Sequence, residues 1–238
     1  VYNKNDLFYR KLISSMNRPS ETKCIPAQKL PVYAYRLRNA IYINTTSSCS
    51  NVCDFCIKFD NGGVGGYDLV IAKDPTVEEA SAQIDAILCA EITELVFCGL
   101  GESTYRLDFM EDIATRYRPR GLKIRLNTNG HGNHINGCDI VPRLAKIVDS
   151  VSISLNTHDA RIYERICNPV FDGAHEEMLD FTRKCVGKIK EVILSVVDMP
   201  GVDIAACREI ADSTGASFRI RPYIPPARNK REGECKQD

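Results

Sequence analysis

Glu94-Leu95-Val96-Phe97-Cys98-Gly99-Leu100-Gly101-Glu102-Ser103 decides the fold class: a β-type apolar run passes directly into a glycine-rich polar turn, and a helical pattern over Tyr105–Tyr117 follows at once. The same strand–turn–helix order repeats in both directions. Upstream, Ala40–Asn44 reads as a short strand and Pro75–Ala90 as a helix, with Asp74 and Thr76 as cap candidates and Val77, Ala80, Ile84, Ile87 and Leu88 as its apolar stripe. Downstream, strands are expected at Leu122–Asn127, Ser150–Leu155, Glu191–Val197 and Ser217–Arg221. Helices are expected at Ile140–Val148, Asp159–Cys167, Ala174–Val186 and Val202–Thr214, the last ended by Gly215; the helix over Tyr105–Tyr117 stops before Pro119.

Strands that alternate with helices imply right-handed βαβ units and a parallel sheet. Six such strands predict an α/β domain over residues 31–228, a (β/α) barrel or partial barrel, with a doubly wound sheet as the alternative that periodicity does not separate. In either fold, ligands bind at the carboxyl ends of the strands. Those ends carry the cysteine group at 49–56, Gly99–Ser103, Asn127-Thr128-Asn129-Gly130, Ser152–Asn156, Asp198-Met199-Pro200-Gly201, and the pair Arg219 and Arg221. The ordinary polarity of connecting loops accounts for about half of that pattern. Residues 1–30 lack a clear period and read as an extension with one short helix over Asp6–Ser15. Residues 229–238 read as a charged, disordered tail.

Among the 238 residues, 31 Lys and Arg balance 31 Asp and Glu, so net charge points neither to nucleic acid nor to an anionic membrane. Apolar residues make up 44% of the chain, with no run long enough to span a bilayer. Leu7–Ile13 is broken by charge and too short for a signal-peptide core, so a cytoplasmic location is expected. Opening on Val1, the chain is compatible with a fragment or a processed product. Its 11 cysteines, odd in number and without paired spacing, argue against a secreted disulfide framework. Cys89, Cys98, Cys185 and Cys207 sit among apolar residues and read as small core side chains.

Only Cys49, Cys53 and Cys56 are bunched, in the spacing C-x3-C-x2-C. Thiolates suit iron–sulfur clusters or zinc. A tight loop of this spacing can hold three corners of a cubane cluster, and without a fourth cysteine at ferredoxin-like spacing one iron stays open to another ligand. The competing readings are a structural zinc site completed by Cys24, Cys98 or His131, and three unrelated core cysteines.

C-x3-C-x2-C with the aromatic Phe55 before the last cysteine resembles the signature of the radical S-adenosylmethionine (radical SAM) superfamily. The resemblance implies a partial (β/α)6 barrel of that type, parallel strands with outer helices. It also implies a 4Fe–4S cluster on Cys49, Cys53 and Cys56 whose open iron chelates SAM. Reductive cleavage of SAM would give a 5′-deoxyadenosyl radical that abstracts hydrogen from an unidentified substrate, with an electron donor such as flavodoxin or ferredoxin. Gly99, Gly101 and Glu102 resemble the family's glycine–glutamate motif toward the SAM amino group, although Leu100 and Ser103 depart from its usual residues. Asn127 and Asn129 lie in a stretch similar to the family's TNG element, and Ser154 and Asn156 fall where polar contacts to SAM are common. Arg221, on the same strand side as Arg219, could meet a carboxylate in the barrel mouth or face solvent.

Asn61–Gly66 lacks a following Gly-Lys-Ser/Thr and reads as a flexible loop, not a P-loop. His131 and His134 read first as surface histidines, with proton donation or substrate contact as the alternative. Leu126–Asn133 and Phe97–Glu102 most resemble the TatD-associated radical SAM proteins, which implies functional association with a TatD-type hydrolase. The rival functional readings are a non-catalytic zinc- or cluster-binding module and, within the superfamily, a glycyl-radical activase or a small-molecule synthase.

Overall fold

The computed structural model of the chain describes residues 30–57 and 64–223. The expected helix Asp6–Ser15, the tail 229–238, Cys24 and the start of the Asn61–Gly66 loop lie outside the described residues. The chain divides after Leu30 into two units, and the fold that follows is that of the unit beginning at Pro31.

Seven strands form one sheet in the order of the sequence. They are β1 (Ala34–Leu37), β2 (Ala40–Ile43), β3 (Glu94–Phe97), β4 (Lys123–Thr128), β5 (Ser150–Ser154), β6 (Glu191–Asp198) and β7 (Ser217–Pro222). From β2 to β7 every neighbour is parallel. Between them run α1 (Val77–Ile87), α2 (Leu107–Tyr117), α3 (Gly132–Asn136), α4 (Val141–Ile147), α5 (Ala160–Cys167), α6 (Ala174–Cys185) and α7 (Ile204–Thr214).

Register sorts the side chains into two faces. One row across the sheet reads Ile43, Phe97, Leu126, Val151 and Val192; another reads Thr128, Ile153, Leu194 and Phe218. These rows pack with Ala80 and Ile84 of α1, Met110 and Ile113 of α2, and Met178 and Phe181 of α6 in one core. The alternate rows carry Cys98, Asn127 and Ser152, then Ser154, Ser195 and Arg219, then Val197 and Arg221. A doubly wound sheet buries apolar residues on both faces, whereas a barrel interior that holds a ligand can be polar. One apolar and one polar face therefore favour the partial barrel over the doubly wound alternative.

Several elements depart from the expected pattern, among them the short helix α3, which has no counterpart in the expected set. Strand β1 turns through Arg38, held at φ 57°, and pairs antiparallel with β2; four residues with two arginines nearby give no readable period. The helix expected from Tyr105 begins as a 3₁₀ turn over Ser103–Arg106, with Glu102 as its cap, before α2 starts at Leu107. Among the described residues no helix is long and apolar enough to cross a membrane.

The N-terminus of α1 is closed by a capping box: Thr76 Oγ1 accepts from the Glu79 amide at 3.1 Å, and Glu79 Oε2 accepts from the Thr76 amide at 2.9 Å. Thr76→Ala is expected to cost about 1 kcal/mol in urea denaturation without a change in the denaturant slope.

Candidate active site at the carboxyl ends of the strands

The cysteine loop follows β2 and is fixed by its backbone. The Val52 amide donates to the Cys167 carbonyl at 3.0 Å, the Asp54 amide to the Ile166 carbonyl at 2.9 Å, and the Val170 amide to the Ser50 carbonyl at 3.0 Å. On the other side the Glu102 amide donates to the Ser48 carbonyl at 2.8 Å. The β3 loop packs against this segment without room for a side chain. A Cβ on Gly101 would lie 2.4 Å from the Ser48 carbonyl oxygen, and one on Gly99 would lie 2.1 Å from Asn44 Oδ1. The two glycines are thus demanded by loop meeting loop.

Glu102 is buried beneath this contact. Its Oε1 accepts from the Thr104 amide (3.1 Å), the Thr104 hydroxyl (2.8 Å) and the Thr128 hydroxyl (2.9 Å), while Oε2 accepts from the Asn129 amide (2.7 Å). Burial pushes the carboxyl pKa up, against the pull of these hydrogen bonds. The carboxylate ties the end of β3 to the end of β4 and so places Asn129, whose Nδ2 reaches Ser50 Oγ at 2.8 Å and Cys49 Sγ at 3.8 Å.

His131 is fully buried, which corrects its reading as a surface residue; His134 is exposed and stacks on Phe171. The Nε2 of His131 faces the Ala174 carbonyl at 3.1 Å and must carry the proton, which leaves Nδ1 to accept from the Ser50 hydroxyl at 2.9 Å. Tyr163 Oη lies 3.1 Å from the same Nε2 and accepts from Asn51 Nδ2 at 3.2 Å. Burial holds the imidazole pKa down to about 4, so it is neutral at physiological pH and both ring nitrogens are engaged. His131 is therefore not poised to complete a metal site; it anchors the cysteine loop.

Cys49, Cys53 and Cys56 are all partly exposed. Burial pushes the Cys49 thiol pKa up to about 12, with smaller contributions from Glu102, Cys53 and Cys56. The Cys53 thiol is hydrogen-bonded with that of Cys167, which with burial raises its pKa further. Asn156, at φ 63°, donates to Cys167 Sγ at 3.4 Å, so Asn156, Cys167 and Cys53 are linked. Among the described residues no three Cys, His, Asp or Glu side chains already converge as metal ligands. The donor chemistry nevertheless fits a thiolate-held cluster: three thiols on one pinned loop, partly open to solvent, at the binding end of the sheet.

The remaining expected residues divide. Phe55 packs against the main core. Asn127 is hydrogen-bonded with the Cys98 thiol and leaves its Oδ1 buried without a partner. Arg221 reaches Ser154 Oγ at 3.5 Å. Cys98 thus belongs to the polar face, and Cys89 is exposed with Arg36 Nη1 3.3 Å from its sulfur, so neither is a core residue; Cys185 and Cys207 are buried. Sequence reading missed Cys167, Tyr163 and the anchoring role of His131. Cys167 ends a helix far from the cysteine group, and no local spacing marks it.

The Radical SAM superfamily matches residues 43–213, most of the chain. Three solved structures share the fold: TYW1 with a lysine-pyruvate adduct bound (15% identity, TM-score 0.55), methylornithine synthase PylB (16%, 0.56) and HydG, a maturase of the [FeFe]-hydrogenase (15%, 0.54). The aligned regions cover 79%, 78% and 78% of this chain but only 65%, 53% and 42% of those chains. At such identity the likeness is one of fold. No curated protein matches the sequence.

Two outcomes follow from the geometry. Gly101→Ala forces the Ser48 segment aside and is expected to cost about 1–3 kcal/mol and to lower iron uptake on anaerobic reconstitution, read by iron analysis and thermal unfolding. For His131 the folded pKa of about 4 lies below the ordinary 6.5, so between those values the unfolded chain binds a proton that the folded chain refuses. Stability is lost as pH falls through that window, by up to about 1.4 kcal/mol per unit, and His131→Gln should flatten the slope in urea titrations of the metal-free chain.

Proposed function

The chain belongs to the radical SAM superfamily, and on that premise we propose that Cys49, Cys53 and Cys56 hold a 4Fe–4S cluster at which SAM is cleaved reductively. When bound, the cluster and SAM supply a 5′-deoxyadenosyl radical that takes hydrogen from the substrate. The observation that carries the reading is one pinned loop that presents three thiols at the carboxyl end of a sheet with a polar inner face.

The chain's own residues supply position. Asn129 directs an amide donor at the Cys49 sulfur, the kind of contact that tunes a thiolate ligand. Glu102 acts toward SAM through the backbone it organises, since its carboxylate oxygens already accept four protein donors. Gly99 and Gly101 let the β3 loop lie against the cysteine loop, Asn127, Ser154 and Asn156 offer polar contacts to SAM, and Arg221 brings a cationic donor for a carboxylate to the same mouth. Because burial raises the Cys49 pKa to about 12, loading the cluster must expel protons. The protein works in the cytoplasm with an electron donor such as flavodoxin or ferredoxin. The subgroup reading, and with it a TatD-type hydrolase as partner, rests on Leu126–Asn133 and Phe97–Glu102.

One observation favours a second reading. Cys167 lies beside Cys53 and could complete a four-thiolate zinc site without catalysis. Metal analysis after anaerobic purification separates the two. About four iron per chain and a brown colour are expected, against one zinc in a colourless protein. Cys49→Ala, Cys53→Ala and Cys56→Ala should each lose the cluster, whereas Cys185→Ala should keep it. With dithionite under argon, the wild type should release 5′-deoxyadenosine from SAM; release no greater than that of Cys53→Ala, with SAM shown to be bound, would refute the assignment.

A further inference from the structure

Two guanidiniums on the polar face of the sheet stand in contrasting surroundings. Arg125 is matched: its Nε donates to Glu94 Oε1 at 3.1 Å and its Nη2 to Glu94 Oε2 at 2.8 Å, a two-pronged pairing. Arg221 presents the same Nε and Nη2 edge, and among the described residues no carboxylate pairs with it. Among the described residues its Nε is buried without a partner, and its Nη2 makes a long contact of 3.5 Å to Ser154 Oγ. Among the described residues it enters no ion pair, and Arg219, two residues along the same face, adds like charge.

Burial pulls the pKa of this guanidinium down, the mark of a charge partly withdrawn from water without full compensation. Its contact with Ser154 and its pairing opposite Val197 set it at the carboxyl ends of β5 and β6, on the polar face. The Oδ1 atoms of Asn127 and Asn156 are also buried and unpartnered. A donor fork left unmatched inside a protein carries a desolvation cost that its own fold does not offset, and an arriving anion removes it.

We propose that Arg221 receives the carboxylate of a small-molecule substrate, so that the substrate class of this site is a carboxylic acid. The proposal rests on the functional reading given above. A planar carboxylate satisfies the Nε and Nη2 donors together, as Glu94 does for Arg125. SAM also bears a carboxylate, and the experiment separates the two sources.

Sodium succinate serves as the probe and succinamide as its uncharged counterpart, titrated calorimetrically into reconstituted full-length protein at matched ionic strength. Succinate should bind with SAM saturating, and succinamide should not. Arg221→Gln should weaken succinate binding by about tenfold or more, and Arg221→Lys, which keeps charge but loses the fork, by less. The thermal midpoint of Arg221→Gln should equal or exceed that of the wild type; a purely structural role would lower it. Should Arg221→Gln not fold, succinate must still slow the reaction of wild-type Arg221 with phenylglyoxal, read on the peptide by mass spectrometry. Equal affinity in wild type and Arg221→Gln, or no protection from phenylglyoxal, overturns the proposal. So does displacement of succinate by SAM, which would give Arg221 to the cofactor. Iron content and SAM binding on the same samples keep the two readings apart. Iron and SAM without Arg221-dependent succinate binding overturns this proposal alone; Arg221-dependent binding in a protein that takes up no iron overturns the functional reading alone.

Discussion

Side chains alternate along a strand, and here the alternation gives the parallel sheet two unlike faces. Leu95, Phe97, Ile124, Leu126, Val151, Ile153 and Leu194 are all fully buried under the helices. A slip of one residue in any strand would send Asn127, Ser152 or Arg219 into that core and expose its apolar set. The register that makes the core is therefore also the register that lines the mouth with polar groups. Stability and binding are properties of the same pairing, read from opposite sides.

The loops above the sheet obey a second constraint, the shortage of space between them. Gly99 and Gly101 allow contact at distances no side chain would tolerate. The buried carboxylate of Glu102 then fastens the end of β3 to that of β4. From Asn129 the connections pass through Ser50 and His131 to Tyr163 and Ala174, so five segments share one polar network. Such a network is stiff because Asn129, Ser50, His131 and Tyr163 are each held by at least two partners. Stiffness suits a site that has to hold its ligand in one orientation.

Much of this was legible in the sequence. Six strands and their helices follow from period and punctuation, and the three cysteines announce themselves by spacing. Thr76 was readable as a cap because capping is local. The limits were physical as well. Strand β1 is short and its stabilisation comes from pairing with β2, a non-local partner. Periodicity left the barrel and the doubly wound sheet open, and only strand register resolved them. Cys89 and Cys98 sit among apolar neighbours in sequence, yet one is exposed and the other turns to the polar face, because their positions depend on where a helix ends and which way a strand faces. His131 needed three partners from distant segments before its role could be seen.

The pinning of the cysteine loop has a consequence for how the protein is made. The amides of Val52 and Asp54 find their acceptors at Cys167 and Ile166, more than a hundred residues later in the chain. On the ribosome, β2 can pair with β3 and β3 with β4 as each emerges, because sheet order follows sequence order. The β3 and β4 loops can hold Ser48 and Ser50 as they emerge, but Val52 and Asp54 have no acceptor until α5 and the residues after it have left the exit tunnel. Translation thus leaves the loop half-tethered around Val52 and Asp54 for a long interval, and the binding site matures only after most of the sheet has been laid down.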